Sequence, residues 1–213
     1  MIPYGRQWIT QDDITAVSAV LRSDYLTQGP IVYQFEQMLC GYTGAKYCVA
    51  VSNGTAALHI AVAALQLPSD SQGITSPVTF TASATSMVYC GATPVFADID
   101  AETLCVSPRE IAKKIAAETR LIIPVHFAGR VCDMPAIAEI AKSKNLRIIE
   151  DAAHAIGSEY PEGGKVGCCR YSDMTIFSFH PVKTITTGEG GAVMTNDPVL
   201  YERLLLLRSH GIT

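Results

Sequence analysis

Lys183 is the residue on which a chemistry can be built. It follows an apolar β-type run at 174–178 and precedes a hydroxylated, glycine-rich segment at 184–191, with no acidic residue for several positions on either side. An amine on such a strand-following turn loses hydration, and desolvation lowers a lysine pKa toward the range where the neutral, nucleophilic form exists. A lysine of that kind condenses with an aldehyde. The competing account is a snorkelling side chain, stem buried and ammonium in water. Two neighbours favour the chemical account: Ser178 is placed to offer a hydroxyl to an anion, and the glycines let backbone approach a flat ligand closely.

Three further stretches place polar or aromatic groups just beyond apolar runs. Ser52-Asn53-Gly54-Thr55-Ala56 opens an apolar helix, so the N–H groups of Gly54, Thr55 and Ala56 are first-turn donors aimed at an anion such as a phosphate. The same run also makes an ordinary N-cap. Phe80, immediately before the next helical segment, offers a face on which a flat ring can stack, with core packing as the alternative. A third run, 146–150, leads into Asp151 and His154. A carboxylate there can pair with a ring nitrogen or cap a helix. His126, Arg130 and His180 are further polar candidates with no assigned role.

Elements of a definite kind must bring these residues together. Short β-type runs at 47–51, 73–76, 93–97, 120–125, 146–150, 174–178 and 191–195 alternate with helical patterns at 54–67, 81–89, 107–117, 133–144 and 198–210. That alternation predicts βαβ units and a three-layer α/β/α fold with a mostly parallel sheet, whose ligands bind beyond the carboxyl ends of the strands. Ahead of it, Thr10 and Asp13 predict a capping box for a helix carrying Ile14, Val17, Val20 and Leu21 on one side. A second helix over about 31–42 is predicted to turn Phe35, Met38 and Leu39 inward.

Composition narrows the class. The 213 residues are 48% hydrophobic and 17% charged, enough for a substantial core. A net charge of -4 gives no electrostatic reason to expect nucleic acid or an anionic membrane as partner. No apolar run reaches the roughly 18 residues of a membrane span, and the first residues lack a signal-peptide layout, so the expected compartment is the cytoplasm. The seven cysteines show no C-x-x-C spacing, which points away from zinc or any other metal and toward reduced thiols.

The order Ser-Phe-His-Pro-Val-Lys-Thr-Ile-Thr-Thr-Gly-Glu-Gly-Gly around Lys183 resembles the lysine loop of the DegT/DnrJ/EryC1/StrS family of sugar aminotransferases, and the resemblance spans nearly the whole chain. It implies the large domain of a fold-type I, aspartate aminotransferase-like enzyme over 31–213. The arm and first helix would occupy 1–30, and a smaller C-terminal domain is absent from this chain. The implied cofactor is pyridoxal 5'-phosphate, held by Lys183, with Asp151 on the ring nitrogen, His154 beside the phenolic oxygen, Phe80 stacked on the ring, and Gly54, Thr55, Ala56 and Ser178 on the phosphate. It further implies that Tyr4 and the turn Asp24, Tyr25, Leu26 and Thr27 line a nucleotide-sugar pocket, and that the full-length form is a homodimer. His154 stands where many relatives carry glutamine; with 153–160 and Arg208-Ser209-His210-Gly211 it resembles the pseudaminic-acid branch. The implied reaction moves an amino group from glutamate to the C4 keto group of a UDP-linked 4-keto-6-deoxy-N-acetylhexosamine. The alternatives are a non-catalytic fragment that keeps only the fold, and a related sugar dehydratase, against which Lys183 argues because that enzyme has histidine there.

Overall fold

Strand parity organises the fold. The computed structural model describes residues 5–212. It contains a sheet of seven strands: β1 (Tyr47–Val51), β2 (Gln72–Thr75), β3 (Thr93–Phe96), β4 (Thr119–Ile123), β5 (Arg147–Asp151), β6 (Met174–Ser178) and β7 (Gly191–Thr195). They lie in the order β1-β7-β6-β5-β4-β2-β3. Only β7 runs against its neighbours; the pairs from β6 through β5, β4 and β2 to β3 are all parallel. Seven helices complete the chain: α1 (Gln11–Leu21), α2 (Pro30–Thr43), α3 (Gly54–Ala64), α4 (Ala82–Tyr89), α5 (Pro108–Lys114), α6 (Met134–Lys144) and α7 (Pro198–Arg208).

Alternate side chains point to opposite faces of a sheet, and each face here has its own core. Leu121, Ile123, Ile149, Met174, Ile176 and Val193 pack with α3, α4 and α7. Their neighbours Ile122, Ile148, Phe177 and Met194 pack with α2, α5 and α6 on the other side. The same rule decides where the polar residues go: Asp151 shares a face with Ile149, Ser178 with Ile176, and Glu150 points the opposite way with Ile148.

The expected three layers and mostly parallel sheet are present, with strand ends shifted by a residue or two. The first helix forms as expected, and one expectation about the second is corrected. The capping box of α1 forms, with Thr10 and Asp13 bonded reciprocally, but none of its residues is buried, so its apolar stripe has no partner among the described residues. In α2, Leu39 is buried and Phe35 packs on the core, whereas Met38 is 73% exposed. Glu36 turns inward in its place. β1 is an edge strand, whose outer N–H groups lack a ladder partner; Glu36 Oε1 accepts from the Ala50 N–H at 2.8 Å and from Arg208 Nη1 at 2.6 Å. A hydrogen-bonding need at the sheet edge therefore outweighed the hydrophobic pattern.

Candidate active site

A cleft of about 410 Å³ opens beyond the carboxyl ends of β1, β2, β4, β5 and β6, and residues from Asn53 to Glu189 share its walls. Asn53, Gly54 and Thr55 line one part, Thr79 and Phe80 another; Val125, His126, Phe127, Asp151 and His154 lie beyond β4 and β5, and Ser178, His180 and Lys183 beyond β6. Lys183 sits on the loop between antiparallel β6 and β7. The base of that loop is closed by the Phe179 N–H donating to Gly190 O at 2.8 Å and by Thr187 N–H donating to Phe179 O at 3.1 Å. Phe179 is fully buried and meets Phe35 edge-on at 5.3 Å. A rigid root thus carries the lysine over the cleft. Burial pushes the Lys183 ammonium below its ordinary pKa, against the opposing attraction of the Asp151 carboxylate.

Asp151 ends β5 and is buried. Its Oδ2 accepts from Ser83 Oγ at 2.6 Å and its Oδ1 from the Ala153 N–H at 3.1 Å. His154 Nδ1 accepts the Ala128 N–H at 3.3 Å, which assigns the ring proton of the neutral form to Nε2. Burial lowers the His154 pKa, the Lys183 charge lowers it further, and Asp151 opposes both.

The start of α3 is built by close approach. A Cβ on Gly54 would lie 2.9 Å from Ser178 Cβ and 3.1 Å from its Oγ, so only glycine lets the β6 terminus sit against this helix. The N–H groups of Gly54 and Thr55 have no intrahelical partner, and the Ser178 hydroxyl makes no hydrogen bond among the described residues. Ala56 departs from expectation. Its N–H donates to the Asn53 side chain at 2.8 Å, and it does not line the cleft, so capping has taken this donor.

Among the other expected residues, Phe80 is 72% exposed at the cleft edge rather than in the core. Asp24, Tyr25, Leu26 and Thr27 are exposed and are not among the cleft-lining residues. Tyr4 falls outside the described residues. His126 and His180 line the cleft, whereas Arg130 points away and donates to Glu102 O at 3.1 Å. No group of three or more His, Cys, Asp or Glu suited to a metal occurs among the described residues, and all seven cysteines are free. No described helix is long and apolar enough to cross a membrane.

The family model for DegT/DnrJ/EryC1/StrS aminotransferases matches residues 7–213. The chain belongs to that family. The uncharacterized protein MJ1066 of Methanocaldococcus jannaschii is 42% identical over 212 residues, covering 100% of this chain and 54% of its own. The spore coat polysaccharide biosynthesis protein SpsC of Bacillus subtilis is 40% identical over 214 residues, again covering 100% and 54%. Among solved structures, Helicobacter pylori PseC, an aminotransferase involved in pseudoaminic acid biosynthesis, superposes with a TM-score of 0.95 at 36% identity, over 99% of this chain and 56% of that one. The PLP-form of the putative sugar aminotransferase Spr1654 from Streptococcus pneumoniae gives 0.94 at 34% identity, over 100% and 59%. The chain thus spans about half the length of the curated relatives it matches.

Sequence reasoning missed two groups that stand at or behind the cleft of this family member. Ser83 and Thr79 stand behind Asp151; their signal was a four-residue spacing of hydroxyls at a helix start, which places both on one side. The other group lies on the far side of β5. Glu150, fully buried, accepts from His126 Nε2 at 2.8 Å, Tyr160 Oη at 2.7 Å, Thr175 Oγ1 at 3.1 Å and Ser172 Oγ. His126 Nδ1 in turn accepts the Cys132 N–H at 3.2 Å. These partners come from separate segments, and no local pattern joins them.

Proposed function

We propose that this chain is the cofactor-binding part of a pyridoxal-phosphate aminotransferase acting on a nucleotide-linked keto sugar. The observation that carries the reading is the convergence of Lys183 and Asp151, from a hairpin loop and a strand end, on one cleft that also holds two open backbone donors and a free hydroxyl. The residues fit the group. The cleft is in the size range of small-molecule sites, and the glycine cradle at Gly54 keeps the α3 N-terminus and Ser178 close enough to share one phosphate. When bound, the cofactor supplies an aldehyde for amine exchange and a protonated ring that withdraws electrons from the substrate carbon.

The chain's own residues have separate tasks. Lys183 is the attachment amine, and its lowered pKa favours the neutral form that attachment requires. Once released, it is the proton-transfer group of the cleft. Asp151 pairs with the ring nitrogen, and His154 directs its Nε2 proton toward the phenolic oxygen. Phe80 covers a ring face. Gly54, Thr55 and Ser178 bind the phosphate.

The finer reading follows the resemblance and the neighbours PseC and SpsC. Residues 31–213 form the large domain, and residues 1–30 form the arm and first helix. Tyr4, Asp24, Tyr25, Leu26 and Thr27 contact the sugar nucleotide within a homodimer. The amino group passes from glutamate to C4 of a UDP-linked 4-keto-6-deoxy-N-acetylhexosamine. The test is spectroscopic. Protein mixed with pyridoxal phosphate should show the absorbance band of the lysine-bound cofactor, glutamate should discharge it, and Lys183→Ala should not form it. A band of equal strength in Lys183→Ala refutes the assignment, and failure of glutamate to discharge the band refutes the donor.

A further inference from the structure

The hydroxyls behind Asp151 have a direction that their distances and valences fix. Ser83 is fully buried, and its Oγ lies 2.6 Å from Asp151 Oδ2, 2.7 Å from Thr79 Oγ1 and 3.3 Å from Phe80 O. An ionised carboxylate only accepts. The single Ser83 proton therefore goes to Asp151, its shortest contact. Thr79 must then donate its own proton to Ser83 Oγ, which leaves Thr79, a cleft-lining residue, with only acceptor lone pairs toward a ligand. The result is a one-way chain of protons from Thr79 to Ser83 to the carboxylate.

We propose that Thr79 and Ser83 are positioning residues: a directed hydroxyl relay that holds the Asp151 carboxylate turned as an acceptor for the ring nitrogen. This deepens the functional reading above and rests on it. The physical reason is proton competition. In an N–H to carboxylate pair the proton stays on nitrogen while other donors satisfy the carboxylate. The Ser83 hydroxyl and the Ala153 N–H each occupy one Asp151 oxygen, leaving a lone pair for the ring. Without Ser83, the Ala153 N–H on the other oxygen is the one remaining hydrogen bond of the two that hold the carboxylate. The relay is local, from the β2–α4 connection into the first turn of α4, and its partner is remote, 68 residues along the chain from Ser83.

The experiment is a set of double-mutant cycles with two readouts. The first is urea denaturation of cofactor-free protein, and the second is the pyridoxal phosphate dissociation constant from the lysine-bound absorbance band. The variants are Ser83→Ala, Thr79→Val, Asp151→Asn and their pairs, with Ser83→Thr as the conservative rescue. The relay predicts that Ser83→Ala weakens cofactor binding about 10-fold, the size of one hydrogen bond to a charged group. The same change should have almost no effect in the Asp151→Asn background. Thr79→Val should weaken binding by a smaller factor, and only while Ser83 is present; Ser83→Thr should restore it. A merely structural serine would lower stability in both backgrounds and show no coupling to Asp151 in the binding cycle, which overturns the proposal. Normal cofactor binding by Ser83→Ala overturns it too. If the unsubstituted protein forms no band, the functional reading fails and takes the relay's role with it, while the denaturation cycle still shows whether Ser83 and Asp151 are coupled.

Discussion

Glu150→Ala removes the acceptor from four donors at once, three of them buried, and the cost can be worked out donor by donor. The Ser172 and Thr175 hydroxyls can rotate toward each other, since their oxygens are already 3.4 Å apart. His126 cannot adapt. Its Nδ1 is occupied by the Cys132 N–H at 3.2 Å, so its proton stays on Nε2 and faces the vacated space. Tyr160, whose ring is buried, is equally stranded. Two orphaned donors at about 1–3 kcal/mol each, with about 1 kcal/mol for the void, give roughly 3–7 kcal/mol. That is a large part of a typical domain's stability of about 5–15 kcal/mol. Glu150→Gln should cost far less, about 1–2 kcal/mol, because its oxygen can face His126 and Tyr160 while the two adaptable hydroxyls turn to accept from its amide. Burial alone would raise the Glu150 pKa, but hydrogen bonds led by that from His126 hold it below the ordinary 4.5. A depressed carboxylate contributes stability above its unfolded pKa and loses it as pH falls through the folded value. The gap between Glu150→Gln and the unsubstituted protein should therefore close below about pH 4.5. Urea denaturation followed by circular dichroism between pH 7 and pH 3 reads both effects. An alanine variant within 1 kcal/mol of the parent at pH 7, or cheaper than the glutamine variant, would refute the reasoning.

Other outcomes follow from the same structure. Gly191→Ala puts a Cβ 2.5 Å from the Asn53 carbonyl carbon and oxygen, all of it backbone, so a loss of about 3 kcal/mol or more is expected in denaturation. Gly41→Ala, in α2 with nothing within 4 Å of the added carbon, should instead stabilise by about 0.5–1 kcal/mol. In the cofactor-free protein, Lys183→Met should raise stability at neutral pH by no more than about 1 kcal/mol, because the half-buried ammonium is partly screened. The sign follows from the lowered pKa: the folded state binds this proton more weakly than the unfolded chain, so the penalty is complete below the folded pKa and fades as pH rises to 10.5. A stability gain from Lys183→Met that stays constant between pH 7 and pH 11 in the same denaturation assay would contradict desolvation as its cause.

How much of this was legible in advance depends on how far apart in the chain the cooperating groups lie. The strands and the helices from α3 onward were readable because period-2 and period-3.6 patterns are local and the core on each face enforces them. The burial of Met38 was misjudged because Glu36 was needed at the sheet edge, a demand set by Ala50 and Arg208 rather than by α2 itself. Ala56 was misjudged for a local reason: a capping side chain competes directly with an outside anion for the same N–H.

The sequence by itself determined the element order, the open α/β class and the positions where Lys183, Asp151, Ser178 and Gly54 fall, all just beyond or at strand ends, where polar residues interrupt apolar runs. Only the tertiary structure decided which of those groups meet. Parity turned Asp151 toward Ser83 and Glu150 toward His126, although the two carboxylates are neighbours in the chain. Hydrogen-bond valence then fixed the directions, because a buried donor or acceptor must find its partner wherever the fold brings one, and that partner is seldom nearby in sequence.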